Sequence, residues 1–332
     1  MILGMYDNPG HTGNKDSFLK QWRQGRLAER RSAATTFLAV VLVLCLLAAQ
    51  MMVEARAVKL RPWLKGAEII KRVADEGLVN AIGTKTITRY YLLKSDDEEW
   101  SGYMVLVFEP QIRPDGLWVL TGRELEYHSR DNSLVQTGFT AADDLSWHNY
   151  HQTRQVTQDK NLVFTGHDYR VEQGILYSSY RIGQRKYQLN PIGIRESNLV
   201  PILLLDFFSS LAVKEGGEAG VVFSVVNPNM LAKGADELLD VLVQAGGAVP
   251  DDIINQSPRG HGVKAKWLED TRRQILYYDQ EHQLVWQKDL QEPSSTITAV
   301  TRAELVEKFR EAEPLLRIWF RKETDRKDAE LL

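Results

Sequence analysis

The hydrophobic pattern of this chain changes character several times. It begins with one continuous apolar run, Phe37-Leu-Ala-Val-Val-Leu-Val-Leu-Cys-Leu-Leu-Ala-Ala49, extended by Gln50-Met-Met-Val53. As a helix, Phe37 to Val53 rises about 26 Å against roughly 30 Å of bilayer hydrocarbon. Residues 33–53, marked by Phe37, Leu44, Cys45 and Leu47, therefore suffice for one membrane-spanning helix behind a basic tail at residues 1–32. The same run has the build of a secretory signal, since Arg23, Arg26, Arg30 and Arg31 precede it and Ala55-Arg-Ala57 supplies an A-x-A cleavage site. A retained anchor and a leader cleaved after Ala57 both fit the pattern, and in either case the remainder is extracytoplasmic.

Helical spacing follows, with Trp63-Leu64, Ala67, Ile69-Ile70, Val73-Ala74 and Leu78 recurring until Gly83. The period then falls to two. Thr86–Leu93, Gly102–Glu109, Leu117–Thr121, Glu124–Ser129, Leu134–Phe139, Ser146–Val156, Leu162–Val171 and Ile175–Ile182 are short segments rich in Val, Ile, Thr and Tyr, separated by polar turn sequences. They predict an antiparallel meander. Leu199–Val213 returns to a helix, apolar nearly all round and so buried, and Met230–Ala245 reads as an amphipathic surface helix ending at Gly246-Gly247. Gly220–Val226 between them reads as a strand and Ala248–Gly262 as a loop. Val263–Thr271, Arg273–Tyr278 and Leu284–Leu290 form a second meander, and Thr301-Arg-Ala-Glu304 is a capping box opening a helix through Phe309. The expected fold is α+β: a curved antiparallel sheet, half-barrel-like and covered by helices, over residues 58–312. An amphipathic tail follows at residues 313–332, suited to packing on its own domain or lying on a membrane surface.

Composition sharpens the question of partners. The chain is 43% hydrophobic and 26% charged, which excludes disordered, collagen-like and disulfide-stapled classes. Its one cysteine, Cys45, lies in the apolar run, so residues 58–332 have no thiol for catalysis or zinc ligation. The 41 basic and 44 acidic side chains divide unevenly: residues 1–57 hold seven and four, leaving 34 and 40 in residues 58–332, a net of −6. That balance argues against nucleic acid as a partner.

Candidate chemistry is sparse. His148 and His151 sit three apart in what reads as a strand and point to opposite faces. His128, His261 and His282 lie beside turns, as do the acidic pairs of Asp96-Asp-Glu-Glu99 and Asp143-Asp144. There is no Gly-rich phosphate loop, G-x-S-x-G or H-E-x-x-H. A non-catalytic domain without cofactor or metal is expected.

The order of export segment, leading helix, long meander, apolar helix and the terminal hairpin Ile275-Leu-Tyr-Tyr-Asp279 to Leu284-Val-Trp286 resembles the lipoprotein-carrier (LolA/LolB-like) superfamily and related extracytoplasmic domains over roughly residues 63–309. The chain departs from that pattern in its longer Met230–Gly262 stretch. The resemblance implies a curved sheet closed by helices over an apolar cavity, with Leu199–Val213 as the plug. An apolar or lipid ligand would then meet Trp118, Trp147, Leu204, Phe207, Phe208 and Trp286. The alternative is a structural or sensory module that engages another envelope protein.

Overall fold

Alternation of apolar and polar side chains becomes one antiparallel ladder of fifteen strands among the described residues. They are β1 (Ile87–Ser95), β2 (Gly102–Ile112), β3 (Trp118–His128), β4 (Ser133–Ala142), β5 (Trp147–Gln158), β6 (Asn161–Glu172), β7 (Ile175–Ile182), β8 (Arg185–Gln188), β9 (Ile192–Gly193), β10 (Val221–Val226), β11 (Leu238–Ala245), β12 (His261–Trp267), β13 (Arg273–Tyr278), β14 (Leu284–Asp289) and β15 (Ser295–Val300). The computed structural model describes residues 38, 40–47, 50–52, 60–96, 100–158, 161–194, 197–216, 220–226, 238–268, 272–291 and 294–320. It divides into a unit of Met1–Leu60 and a unit of Arg61–Leu332.

In the second unit, helix α1 covers residues 61–76 and α2 Leu78–Ile82, broken apart at Gly77. A 3-10 turn at Ile202–Leu204 runs into α3 (Leu205–Gly216). Short α4 (Asp251–Gln256) lies within the expected loop, and α5 (Arg302–Lys308) precedes α6 at residues 312–320. The capping box forms as read: Glu304 N–H donates to Thr301 Oγ1 at 3.2 Å and Thr301 N–H donates to Glu304 Oε2 at 2.7 Å.

The strands run β1 to β8 in one direction, and β10 to β15 return to pair with β1 through Tyr90–Val300 and its neighbours. The result is a large curved open sheet. Its two ends are tied by one short stretch of chain. Ile192 and Gly193 pair with β7, while Val200 N–H donates to Ser224 O at 2.8 Å and Ser224 N–H to Asn198 O at 2.9 Å. Val226 and Leu238 also pack with Tyr150, Tyr169 and Leu176. Terminal strand β10 is consequently buried along its whole length, which accounts for its uninterrupted Val-Val-Phe-Ser-Val-Val sequence.

The main core lies on the concave side. Ile69, Ile70 and Val73 of α1, Leu78 and Val79 of α2, and Leu204, Phe207 and Phe208 fill it against Phe108, Leu120 and Phe139 and the inner residues of β10–β13. Burying each such side chain contributes about 1.5–3 kcal/mol. On the convex side, Leu305 and Phe309, with Ala312 and Leu316 of α6, cover Leu92, Tyr103, Val105 and Leu125. The first part of the tail therefore packs on its own domain. Residues 321–332 lie outside the described residues.

Several expectations need correction. The helix read over Met230–Ala245 is β11 from Leu238 onward, and residues 230–237 lie outside the described residues. Its Leu-Leu-Asp-Val-Leu-Val core satisfies both periods, and pairing on both edges with β10 and β12 decides for the strand. The segments split at Thr121 and Glu124 are one strand, β3, continuous through Gly122. Strands β8 and β15 were not foreseen, and residues 199–201 are extended, so the plug helix starts later. In the first unit the described residues between 38 and 52 are helical, with Leu44, Cys45 and Leu47 exposed. No helix among the described residues is long and apolar enough to cross a membrane, which leaves the 33–53 span without support. Phe37, the basic tail and the Ala55–Ala57 site lie outside the described residues.

Candidate functional site

The six aromatic and aliphatic residues expected to line one cavity occupy separate places. Leu204, Phe207 and Phe208 are consumed by the main core. Trp286 packs on the convex side with Ile253 and Tyr277, because a register shift between Tyr277 and Tyr278 turns it away from Leu284, which faces the core. Trp118 stands partly exposed at the β2–β3 hairpin, and Trp147 lies under the Arg113 guanidinium at 5.9 Å. They share no lining.

The concave face carries a different set. Phase along the ladder places it: Leu120 and Phe139 are core residues, so Glu124 of β3 and its cross-strand partner Thr137 of β4 face the same side. Gly122 is essential to their surroundings, since a Cβ there would come within 2.8 Å of the Phe108 ring and 3.0 Å of the Phe139 ring. Glycine lets those rings meet across β3, two residues from Glu124.

Thr137 Oγ1 donates to Glu124 Oε1 at 3.4 Å and accepts from Gln152 Nε2 at 3.5 Å. Burial first, then the Glu126 carboxylate and, more weakly, Asp206 push the Glu124 carboxyl up to about 8. At neutral pH it is therefore protonated. Asp206, on α3, accepts from Tyr278 OH at 3.1 Å, and burial raises it to about 6. Both retain some solvent exposure, as expected for groups lining a concave surface that water reaches. Among the described residues neither meets a cationic partner: Arg89 turns to Asp279 and Glu281 at 3.6 and 3.9 Å, and His128 to Glu126 at 3.0 Å.

The same face continues across β5 to β8. Tyr150 stacks on Tyr169 at 4.8 Å and 12°, and His148 meets Tyr169 edge-on at 5.8 Å. Burial holds the His148 imidazole neutral by lowering it to about 3. Tyr169 and its cross-strand partner Ser178 are 3% and 4% exposed, yet neither hydroxyl has a hydrogen-bond partner, and His148 Nε2 has none either. The Ile202 N–H faces the Tyr169 oxygen and, being a donor, leaves the phenol proton without an acceptor among the described residues. Buried hydroxyls of this kind cost about 1–3 kcal/mol each when unsatisfied. Farther along this face Tyr180 stacks on Tyr187 at 4.7 Å, beside Ile182, which is 54% exposed. On the convex side of the same strands, Asn149, His151, Asp168, Arg170, Tyr177 and Gln188 rim a shallow depression of about 300 Å³, with Tyr150, Tyr169 and Ser178 also contributing to it.

A second cluster also escaped sequence reasoning. Ser210 Oγ lies 2.9 Å from His261 Nε2 and 2.9 Å from His282 Nδ1, and His261 Nε2 is 3.1 Å from the Ser210 carbonyl oxygen. A carbonyl only accepts, so Nε2 of His261 carries the proton, and the Ser210 hydroxyl is free to donate to His282. Ser210 is 0% exposed and its hydroxyl is already engaged by both imidazoles. The cluster pins α3 to β12 and to the β13–β14 turn. His148 and His151 diverge as predicted, with the His151 ring laid over Gly138 on the convex side.

No protein-family model matches this chain, and no curated protein matches it. Among solved structures, a β-barrel-like protein of a domain of unknown function, DUF1849, from Brucella abortus is similar to it, with 12% identity, 65% of this chain and 95% of that one covered, and a TM-score of 0.42.

Proposed function

We propose that the domain is a non-catalytic binding protein of the cell envelope, tethered or exported through residues 33–53, that holds an amphipathic ligand against the concave face of β3–β8. The observation that carries this reading is the pair of buried hydroxyls on Tyr169 and Ser178, donors for which the described residues supply no acceptor. A ligand supplying acceptors would satisfy them. The exposed apolar surface of Tyr180, Tyr187 and Ile182 on the same face suits an aliphatic portion. The ligand space is not under α3, whose Phe207 and Phe208, with Leu204 of the preceding 3-10 turn, are already buried in the core.

Native mass spectrometry and solvent extraction of the purified full chain test this. A co-purifying amphiphile, competed by added fatty acid or alkylamine, is expected. Protein that carries nothing and binds neither would overturn it.

A further inference from the structure

We propose that the depression on the convex side of β5–β8 is a binding site separate from the concave face, and that its ligand is a neutral polyhydroxylated chain, a short stretch of oligosaccharide. Strand register places its walls. Asn149, Arg170 and Tyr177 form one row across β5, β6 and β7, and His151, Asp168, Ser179 and Gln188 form the next across β5 to β8. The row between them, Tyr150, Tyr169 and Ser178, sends its side chains to the other face and closes the floor with backbone. The two rows stand about 7 Å apart and four strands span about 14 Å, a footprint for a chain lying flat on the sheet. Gly138 keeps the space open. A Cβ there would collide with His151 Cε1, so the imidazole lies down over β4, away from Asp168 on β6, and does not stand over the rows.

The side chains of these rows suit hydroxyl groups. Asn149 and Gln188, both exposed, each present a donor and an acceptor, as a hydroxyl does. Asp168 Oδ2 accepts from Ser179 Oγ at 3.3 Å and lies 3.9 Å from Lys186 Nζ, and a carboxylate with about four acceptor sites can take more. Arg170 is paired with Glu172 through Nη2, and a guanidinium has several N–H donors to share. The charges of Asp168, Arg170, Glu172 and Lys186 cancel, which favours neither an anion nor a cation. No cluster of three metal-ligating side chains forms among the described residues. Tyr177, 39% exposed, offers its ring to the C–H face of a sugar. A sheet face that only meets water is commonly furnished with Lys and Glu. The two rows hold neither, and the surface they line is dished.

The experiment titrates the purified full chain with chitotetraose, cellotetraose and maltotetraose, followed by saturation-transfer NMR of the sugar. At least one is expected to bind, with an affinity that changes less than twofold between low and high salt, because no net charge is engaged. Tyr177→Ala and Asp168→Asn, both on the surface, are expected to weaken it at least tenfold, while Tyr177→Phe, which keeps the ring, stays within about threefold. Gly138→Ala, which drives the His151 ring up over the rows, should weaken it in the same direction. Binding of none of the three sugars up to their solubility limits would overturn the proposal. So would binding that survives both Tyr177→Ala and Asp168→Asn, or an affinity that falls steeply with salt. The amphiphile proposed for the concave face is read separately by native mass spectrometry and is expected not to respond to these variants, so either assignment can fail alone.

Discussion

The concave side of this sheet has two unlike halves. Around α3, side chains are large, apolar and used up by one another: Phe208 is fully buried against Phe207 at 5.4 Å and Phe223 at 5.8 Å. Along β3–β7, the same layer of the same sheet holds an acid of raised pKa, a neutral histidine and hydroxyls with no acceptor among the described residues, while α3 adds only Asp206 to that polar set. The first half contributes the stability, and the second is tolerated at its expense. Residues that weaken a fold persist where they serve something else, and that contrast, more than any single side chain, locates the site.

The largest expected effect is in the apolar half. Phe208→Ala should destabilise by about 3–5 kcal/mol, since it opens a cavity among residues that cannot collapse independently of the sheet. Urea unfolding followed by tryptophan fluorescence would measure it. A loss under about 1 kcal/mol would mean that α3 is not the keystone of the core, and the division between halves would fail.

Next comes Glu124, where the sign reverses. Its folded-state pKa of about 8 stands above its ordinary value of 4.5, so folding is unaffected by this group below about pH 4.5 and loses stability as pH rises toward 8. Glu124→Gln should therefore match the parent at pH 4 and exceed it at pH 9 by about 2 kcal/mol, less than the full shift implies because solvent reaches the group. Thermal melts across that range decide it. A variant that is less stable at pH 9 would make Glu124 a structural residue.

How far this division could be read in advance depended on phase. The strands β1, β2 and β4–β7 were legible because segments rich in Val, Ile, Thr and Tyr are set off by polar turn sequences. The plug helix was legible from its all-round apolarity. Pairing of β15 with β1 was not, since it joins residues about 200 apart and local pattern carries no trace of a contact made across the whole chain. Glu124 was missed for a definite reason. Dividing β3 at Gly122 broke the count that runs from core residue Leu120 to Glu124 on the same face, and with it the one signal that a carboxylate points inward. Trp286 misled in the opposite way, because the register shift at Tyr277/Tyr278 inverts a phase that sequence counts as unbroken. The Ser210 cluster gathers three segments 51 and 72 residues apart, and none of them has a local mark.

The smallest effect is the most discriminating. Tyr169→Phe and Ser178→Ala remove hydroxyls for which the described residues supply no acceptor, so each should raise stability, by about 1 kcal/mol. Had these groups been bonded within the fold, their loss would cost about 1 kcal/mol each. The same substitutions should weaken retention of whatever amphiphile the full chain carries, read as its occupancy in native mass spectra. Stability raised with occupancy lost assigns the hydroxyls to the ligand. Stability lost with occupancy unchanged assigns them to the fold, and the polar half of the concave face then has no more claim to be a site than the apolar half.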